Sequence, residues 1–496
     1  MRRIVCDTAG MSATLAQILV FVSSAAVLLL EILAGRLVAP YIGVTLETFT
    51  GIIGVVLLGI ALGAMLGGRT ADRLEPRPLI GPLLILGGLS SMAAPTVVDL
   101  VGPAMRSGGP VQIVLLTVSA FFLPALALSA IPPMVVKLRL RSLEDTGTVV
   151  GSLSALSTVG ALVGTFVTGF VLVAAAPTRP LVLGAGALLI VGGIAMSAGV
   201  GSRGTRALAL FATLAAALGL GFADSPCEFE TTYFCAVIEV DPERPSGRTL
   251  RLDTLAHSYV DLADPTYLKM SYAQIVADVV EGSADGTLAA AYIGGGGFTL
   301  PRYFEAVRPG STATVLEIDG ALVRLVEREL DLEQTDALHS EVGDARLLLP
   351  RYADQSFNLV VGDAFGGLSV PWHLTTREFM AEIDRVLTDD GVYVVNLIDY
   401  PPLAFARAEV ATFRAVFANV AVIAPPRSLG GERGGNFVLV GSHRVLPWEQ
   451  IQSRLERRTP AVVLWPDRFA EQFAGDSQVL RDDFAPVDQL LSQPPR

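Results

Sequence analysis

Seven stretches in the first half of the chain are long and apolar enough to cross roughly 30 Å of hydrocarbon. They lie at about 15–38, 49–68, 79–101, 111–135, 148–174, 180–200 and 205–222. Inside hydrocarbon a chain must satisfy its own backbone hydrogen bonds, so each is predicted to be a helix. The first is too long, and too uncharged beyond its end, to be a cleaved signal peptide. Charge divides the chain in the same way. Residues 1–222 carry 13 basic and 8 acidic side chains, a net of +5; the remainder carry 23 and 40, a net of −17. This excludes a wholly soluble protein, a disordered chain and a disulfide-dense mini-domain. The acidic second half also excludes nucleic acid as a partner, because phosphate binding needs a basic face.

Basic residues in short loops set the orientation of such a bundle. Arg69, Arg73 and Arg77 follow the second run, Lys137, Arg139 and Arg141 the fourth, and Arg203 and Arg206 the sixth; Arg2 and Arg3 precede the first. The opposite loops carry only Glu47, Arg106 and Arg179. The N-terminus is therefore expected in the cytoplasm of a multi-pass cell-membrane protein. After seven spans the second half is expected outside the cytoplasm. Gly59, Gly63 and Gly67, and again Gly160 and Gly164, recur at four-residue spacing that lets helices approach closely. Glu31 and Arg36 lie in the first run, as a polar contact within the bundle or a transport element. Cys6 falls in the cytoplasmic tail. Cys227 and Cys235, eight residues apart, are expected to be bridged, which needs an oxidising compartment.

Beyond residue 229 the pattern changes to short strands and helices. The segments 234–240, 248–253 and 256–261 read as a small antiparallel β cap, followed by a helix at 265–282. Apolar strands at 288–293, 312–319, 339–344, 357–365 and 391–398 then alternate with helices, which predicts a parallel sheet covered on both faces. A further strand at NVAVIAP leads to NFVLVGS (436–442), read as an antiparallel last strand. The implied fold is a bundle of about seven membrane helices followed by a Rossmann-like, S-adenosyl-methyltransferase-type α/β domain. The boundaries read as 1–222 for the bundle, 223–264 for linker and cap, 265–445 for the α/β domain and 446–496 for a C-terminal extension.

In such sheets ligands bind outside the carboxyl ends of the strands. Gly294, Gly295, Gly296 and Gly297 follow the first strand, Glu317 ends the second, Asp344 the third and Asp363 the fourth. A glycine run with carboxylates at three successive strand ends points to a nucleoside. No G-x-G-x-x-G and no phosphate-binding lysine is present, which disfavours a dinucleotide or triphosphate. An S-adenosyl compound fits better.

These residues resemble the spermidine synthase family of polyamine aminopropyltransferases, and more closely its membrane-fused relatives. The resemblance covers about 235–445 and rests on LDTLAHSYVDLADP, YIGGGGFTLPRYF, VLEID, VGDAR, VVGDAF and PWHLTTREFMAEIDRVLTDDGVYVVN. It implies that Glu317 holds the ribose of the donor, that Asp344 and Ala345 contact adenine, and that Asp363 is the catalytic aspartate. Gly294, Gly295 and Gly296 would line the donor site. It implies decarboxylated S-adenosylmethionine or a related S-adenosyl compound as co-substrate, a small-molecule amine as acceptor, and neither metal nor tightly bound cofactor. The chain departs from the family pattern at Gly297 and Gly366, where carboxylates usually stand, and at His257, where glutamine is common. Replacement amine contacts are then sought among His257, Tyr259, Tyr272 and His373, with Asp261 and Asp264 nearby. Three functions follow: aminopropyl transfer, another S-adenosyl chemistry such as methyl transfer, and a transporter or sensor whose domain binds a polyamine or nucleoside without turnover. The lipid bilayer is the other expected partner, and self-association into a homo-oligomer is left open.

Overall fold

The computed structural model describes residues 11–106, 109–140, 142–197, 226–283 and 286–492. They form two compact units, Met1–Glu230 and Thr231–Arg496. The first unit contains six helices long and apolar enough to cross a membrane: Ala13–Ile42, Leu46–Arg73, Arg77–Met105, Pro110–Arg139, Thr146–Ala175 and Thr178–Ser197. They correspond to the first six apolar runs. The seventh run, at 205–222, lies outside the described residues, as do Cys6, Arg2, Arg3, Arg141, Arg203 and Arg206.

The glycine spacing marks helix contacts. A Cβ on Gly160 would sit 2.5 Å from the Phe21 carbonyl oxygen of the first helix, and one on Gly164 would strike Ala25. Gly59, Gly63 and Gly67 back in the same way onto Ala125, Leu126 and Ala130 of the fourth helix. A third contact of this kind was not read from the sequence. Gly81 and Gly88 of the third helix meet Gly193 and Gly186 of the sixth. The two glycines on each helix are seven positions apart, so the four-residue motif is absent, although the face is the same. Arg36 hydrogen-bonds through Nε to Thr178 Oγ1 at 3.1 Å and pairs with Glu230 at 3.3 Å. The unit ends in a two-residue strand β1 (Phe229–Glu230). Cys227 and Cys235 are disulfide-bonded, as their spacing suggested.

The second unit opens with the antiparallel strands β2 (Cys235–Val240), β3 (Gly247–Leu252) and β4 (Leu255–Asp261). An eight-stranded sheet follows, from β5 (Ala289–Ile293), β6 (Thr312–Glu317), β7 (Leu338–Val342), β8 (Phe357–Gly362), β9 (Leu387–Asp399), β10 (Asn419–Ala424), β11 (Gly435–Ser442) and β12 (Val463–Pro466). Their spatial order is β12-β10-β11-β9-β8-β5-β6-β7. Strands β5 to β9 are parallel, and their apolar runs are buried, with the helices Arg377–Val386 and Ala404–Arg414 packed on one face in a shared core. The core is aromatic-rich; Tyr393 of β9 stacks on Phe413 with centroids 5.1 Å apart.

Two expectations need correction. NFVLVGS is antiparallel, but it is not the last strand. It inserts between β9 and β10 and bonds to both. The sheet then continues into β12, from the segment read as an extension, which pairs antiparallel with β10. The intervening helix Trp448–Arg458 buries Ile451 and Leu455. Its short apolar pattern resembles a surface tail until the edge of β10 is seen to need a partner.

Chain order matters for the site. From β5 the chain lays β6 and β7 to one side, then returns to place β8 and β9 on the other. A crevice opens outside the carboxyl ends at such a reversal, here between β5 and β8.

Candidate active site

The residues leaving β5 and β8 are fastened to each other. The Asp363 N–H donates to the Ile293 carbonyl at 2.9 Å, and the Gly294 N–H donates to Leu316 O at 2.9 Å. Gly294 has φ +92, and a Cβ there would lie 2.5 Å from the Asp363 carbonyl oxygen. Only glycine fits this conformation and approach.

Glu317, at the end of β6, is buried. Its carboxylate accepts the Gly295 N–H at 2.8 Å and the Asp319 N–H at 2.9 Å, which fixes the glycine loop. Burial pushes its pKa up, opposed by those backbone hydrogen bonds. Asp344 lies two residues beyond β7. It caps the short helix Ala345–Leu348 by accepting the Arg346 N–H at 2.9 Å, and it faces His373 Nε2 at 3.2 Å.

Asp363 lies one residue past β8. Burial raises its pKa to about 6, against hydrogen bonds from Asn396 and Tyr272 that lower it. Asn396 Nδ2 donates to Asp363 Oδ1 at 2.9 Å, and Asn436 Nδ2 donates to Asn396 Oδ1 at 2.9 Å. Asn396 lies opposite Val438, and Asn436 opposite Ile398, so the two asparagines form a diagonal pair on adjacent strands. A carboxylate held in this way can take up a proton near neutral pH.

Two clefts meet at Asp363. The first is lined by Gly294, Gly296, Glu317, Asp344, Ala345 and His373 among others. The second, open to solvent, is lined by Leu255, Met270, Tyr272, Asn396, Ile398 and Asn436 among others. Asp363, His257 and Phe365 line both. His257 Nδ1 is buried without a hydrogen-bond partner, and burial lowers its pKa to about 4, so the ring is neutral.

The sequence candidates divide accordingly. Gly294, Gly296, Glu317, Asp344 and Ala345 share the first cleft, and Gly295 is tied to it through Glu317. His257 and Tyr272 reach the second. His373 lies in the first cleft beside Asp344, away from the second. Tyr259 lines neither. Its hydroxyl donates to Asp241 at 2.9 Å, and its ring is packed over Gly247, so it holds the cap together. The sequence reading missed Asn396 and Asn436. A lone polar residue within each of two apolar strands was the available signal.

No protein-family model matches the chain. A polyamine aminopropyltransferase of Vibrio vulnificus is 29% identical over 210 residues, covering 40% of this chain and 68% of that protein. A probable spermidine synthase of Corynebacterium glutamicum, known from its crystal structure, is 28% identical, with 55% of this chain and all of that one covered and a TM-score of 0.49. A spermidine synthase of Thermotoga maritima is 13% identical, with 53% and 86% covered and a TM-score of 0.35. By its sequence, this chain is similar to the polyamine aminopropyltransferases over 210 residues.

Proposed function

We propose that the second unit transfers an aminopropyl group from a decarboxylated S-adenosylmethionine-type donor to an amine. The observation that carries this reading is the pair of clefts joined at Asp363. The donor's nucleoside takes the first cleft, with Glu317 accepting ribose hydroxyls and Asp344 and Ala345 against adenine. The amine takes the second. Its neutral nitrogen attacks the aminopropyl carbon next to sulfur. The new N–C bond forms as the C–S bond breaks, and the electron pair leaves with sulfur as methylthioadenosine. The nitrogen sheds its proton to Asp363. A sulfonium is already an activated leaving group, so the charge of Asp363 is spent on orienting the amine and accepting the proton. The test is to incubate the full-length protein with donor and amine and to measure methylthioadenosine. None formed with any amine rejects the reading.

Glu317→Gln tests the ribose assignment. The amide keeps one acceptor but turns its other end, a donor, toward a backbone N–H. Charge-assisted bonds to the hydroxyls are lost as well, each worth about 1.5–3 kcal/mol. Methylthioadenosine should bind about ten-fold more weakly by calorimetry. Unchanged affinity means that the ribose is held elsewhere.

The reading includes a membrane anchor formed by the apolar helices, with the N-terminus in the cytoplasm and the second unit outside it. The basic loops and the disulfide support that orientation. A reporter active only in the cytoplasm, fused after Arg496, should be silent; an active one inverts the topology. S-adenosyl donors are made in the cytoplasm. An outside location therefore favours a second reading, in which the unit binds an amine or nucleoside without turnover.

A further inference from the structure

The second cleft has a charge pattern of its own, and this bears on the acceptor if the aminopropyl-transfer reading holds. Its described lining comprises Leu255, Ala256, His257, Met270, Ser271, Tyr272, Phe365, Ile398, Asn396 and Asn436, with Asp363 the one carboxylate. Five of these are apolar. The Asn396 carbonyl oxygen is already occupied by Asn436. The imidazole of His257 offers no charge.

Other carboxylates stand close in sequence, but all are engaged. Asp241 accepts from Lys269 Nζ at 2.7 Å and from the Tyr259 hydroxyl. Asp261 is paired with Arg244 and also accepts the Ala263 and Asp264 N–H groups. Asp264 pairs with the same arginine at 3.3 Å. Asp399, at the end of β9, accepts the N–H groups of Tyr400, Ala406 and Ser492. None of these carboxylates lines the second cleft.

We propose that the second cleft selects a primary monoamine, with one ionisable nitrogen on a short apolar body, over diamines and polyamines. The reactive nitrogen must be neutral to attack, and Asp363 takes its proton. A diamine brings a second ammonium a few carbons away. That group would lie against the half-buried Leu255, Met270 and Ile398, with only amide and hydroxyl dipoles beside it in place of part of its water. Moving a charge into such surroundings without a counter-charge is unfavourable. An alkyl tail in the same place gains from burial instead.

The experiment uses the full-length protein in lipid nanodiscs, with 1-aminobutane, 1,4-diaminobutane and spermidine as acceptors. Amine affinity is measured by calorimetry with methylthioadenosine bound, and turnover by methylthioadenosine release from decarboxylated S-adenosylmethionine. We expect 1-aminobutane to exceed 1,4-diaminobutane by about ten-fold or more in both affinity and kcat/KM. Equal or better values for the diamine or spermidine overturn the proposal and leave aminopropyl transfer standing. Tighter monoamine binding without any methylthioadenosine release supports the proposal and rejects transfer. No amine binding at all overturns the proposal. Ala256, exposed on β4, provides the converse test. In Ala256→Asp the added carboxylate should move the preference toward the diamine. An unchanged preference in a folded variant overturns the charge argument.

Discussion

Asp363→Asn should lower turnover by about 10²–10⁴-fold, the usual cost of losing a general base, while methylthioadenosine still binds. The asparagine keeps size and shape, and its oxygen can still accept from Asn396. It has no charge to orient an ammonium and no basicity to take its proton. Ribose and adenine contacts belong to other side chains in the proposed site. Turnover and affinity should therefore separate in this one variant, and joint loss of both would show only damage to the fold. The pH profile gives a second readout. The carboxylate must be ionised to act and titrates near 6, so wild-type kcat/KM should fall about ten-fold per unit below that pH. Stability runs the other way. The folded pKa is raised from 3.8 to about 6, so this residue's stabilising share is fully present below 3.8 and lost as pH rises through 6. Asp363→Asn should therefore raise Tm above pH 6 relative to wild type and leave it unchanged near pH 4.

Asn396→Leu should reduce kcat/KM at pH 7 by about 10- to 100-fold without removing any charged group. Asn396 aims Asp363 through one 2.9 Å hydrogen bond, which also favours the ionised carboxylate. Without it the carboxylate loses its aim, and burial acts with less opposition. The acid limb should then move upward from about 6. A structural lesion lowers activity but leaves the limb in place, so the profile distinguishes the two. Asn396→Ser, which keeps a donor, should recover part of the rate. Asn436→Ala should produce a smaller version of the same shift, because Asn436 reaches Asp363 through Asn396.

Much of the site was legible because strand ends are. Apolar runs that stop at a carboxylate locate the open edge of a parallel sheet, and this brought Glu317, Asp344 and Asp363 forward together. What partners those acids have was not legible. Asp261 and Asp264 read as reserve contacts for an amine, yet Arg244, on the turn before β3, occupies both. Tyr259 and His257 are two residues apart on one strand, and only His257 reaches the cleft. Gly247 leaves room for the tyrosine ring, and Asp241 holds its hydroxyl.

The sequence by itself determined the two-part organisation, the six described apolar helices, the parallel core and the strand-end acids. Each of these follows from local periodicity or from residue chemistry at an element's end. Tertiary structure alone decided three further things. It inserted β11 between β9 and β10, which sets Asn436 against Asn396. It joined β12 to the edge of β10. It paired Gly81 with Gly193 and Gly88 with Gly186 across two helices. The physical reason is common to all three: strand order, edge pairing and helix contact are choices among partners far apart in the chain. The free energy that selects them comes from burial and hydrogen bonds formed only after the elements meet.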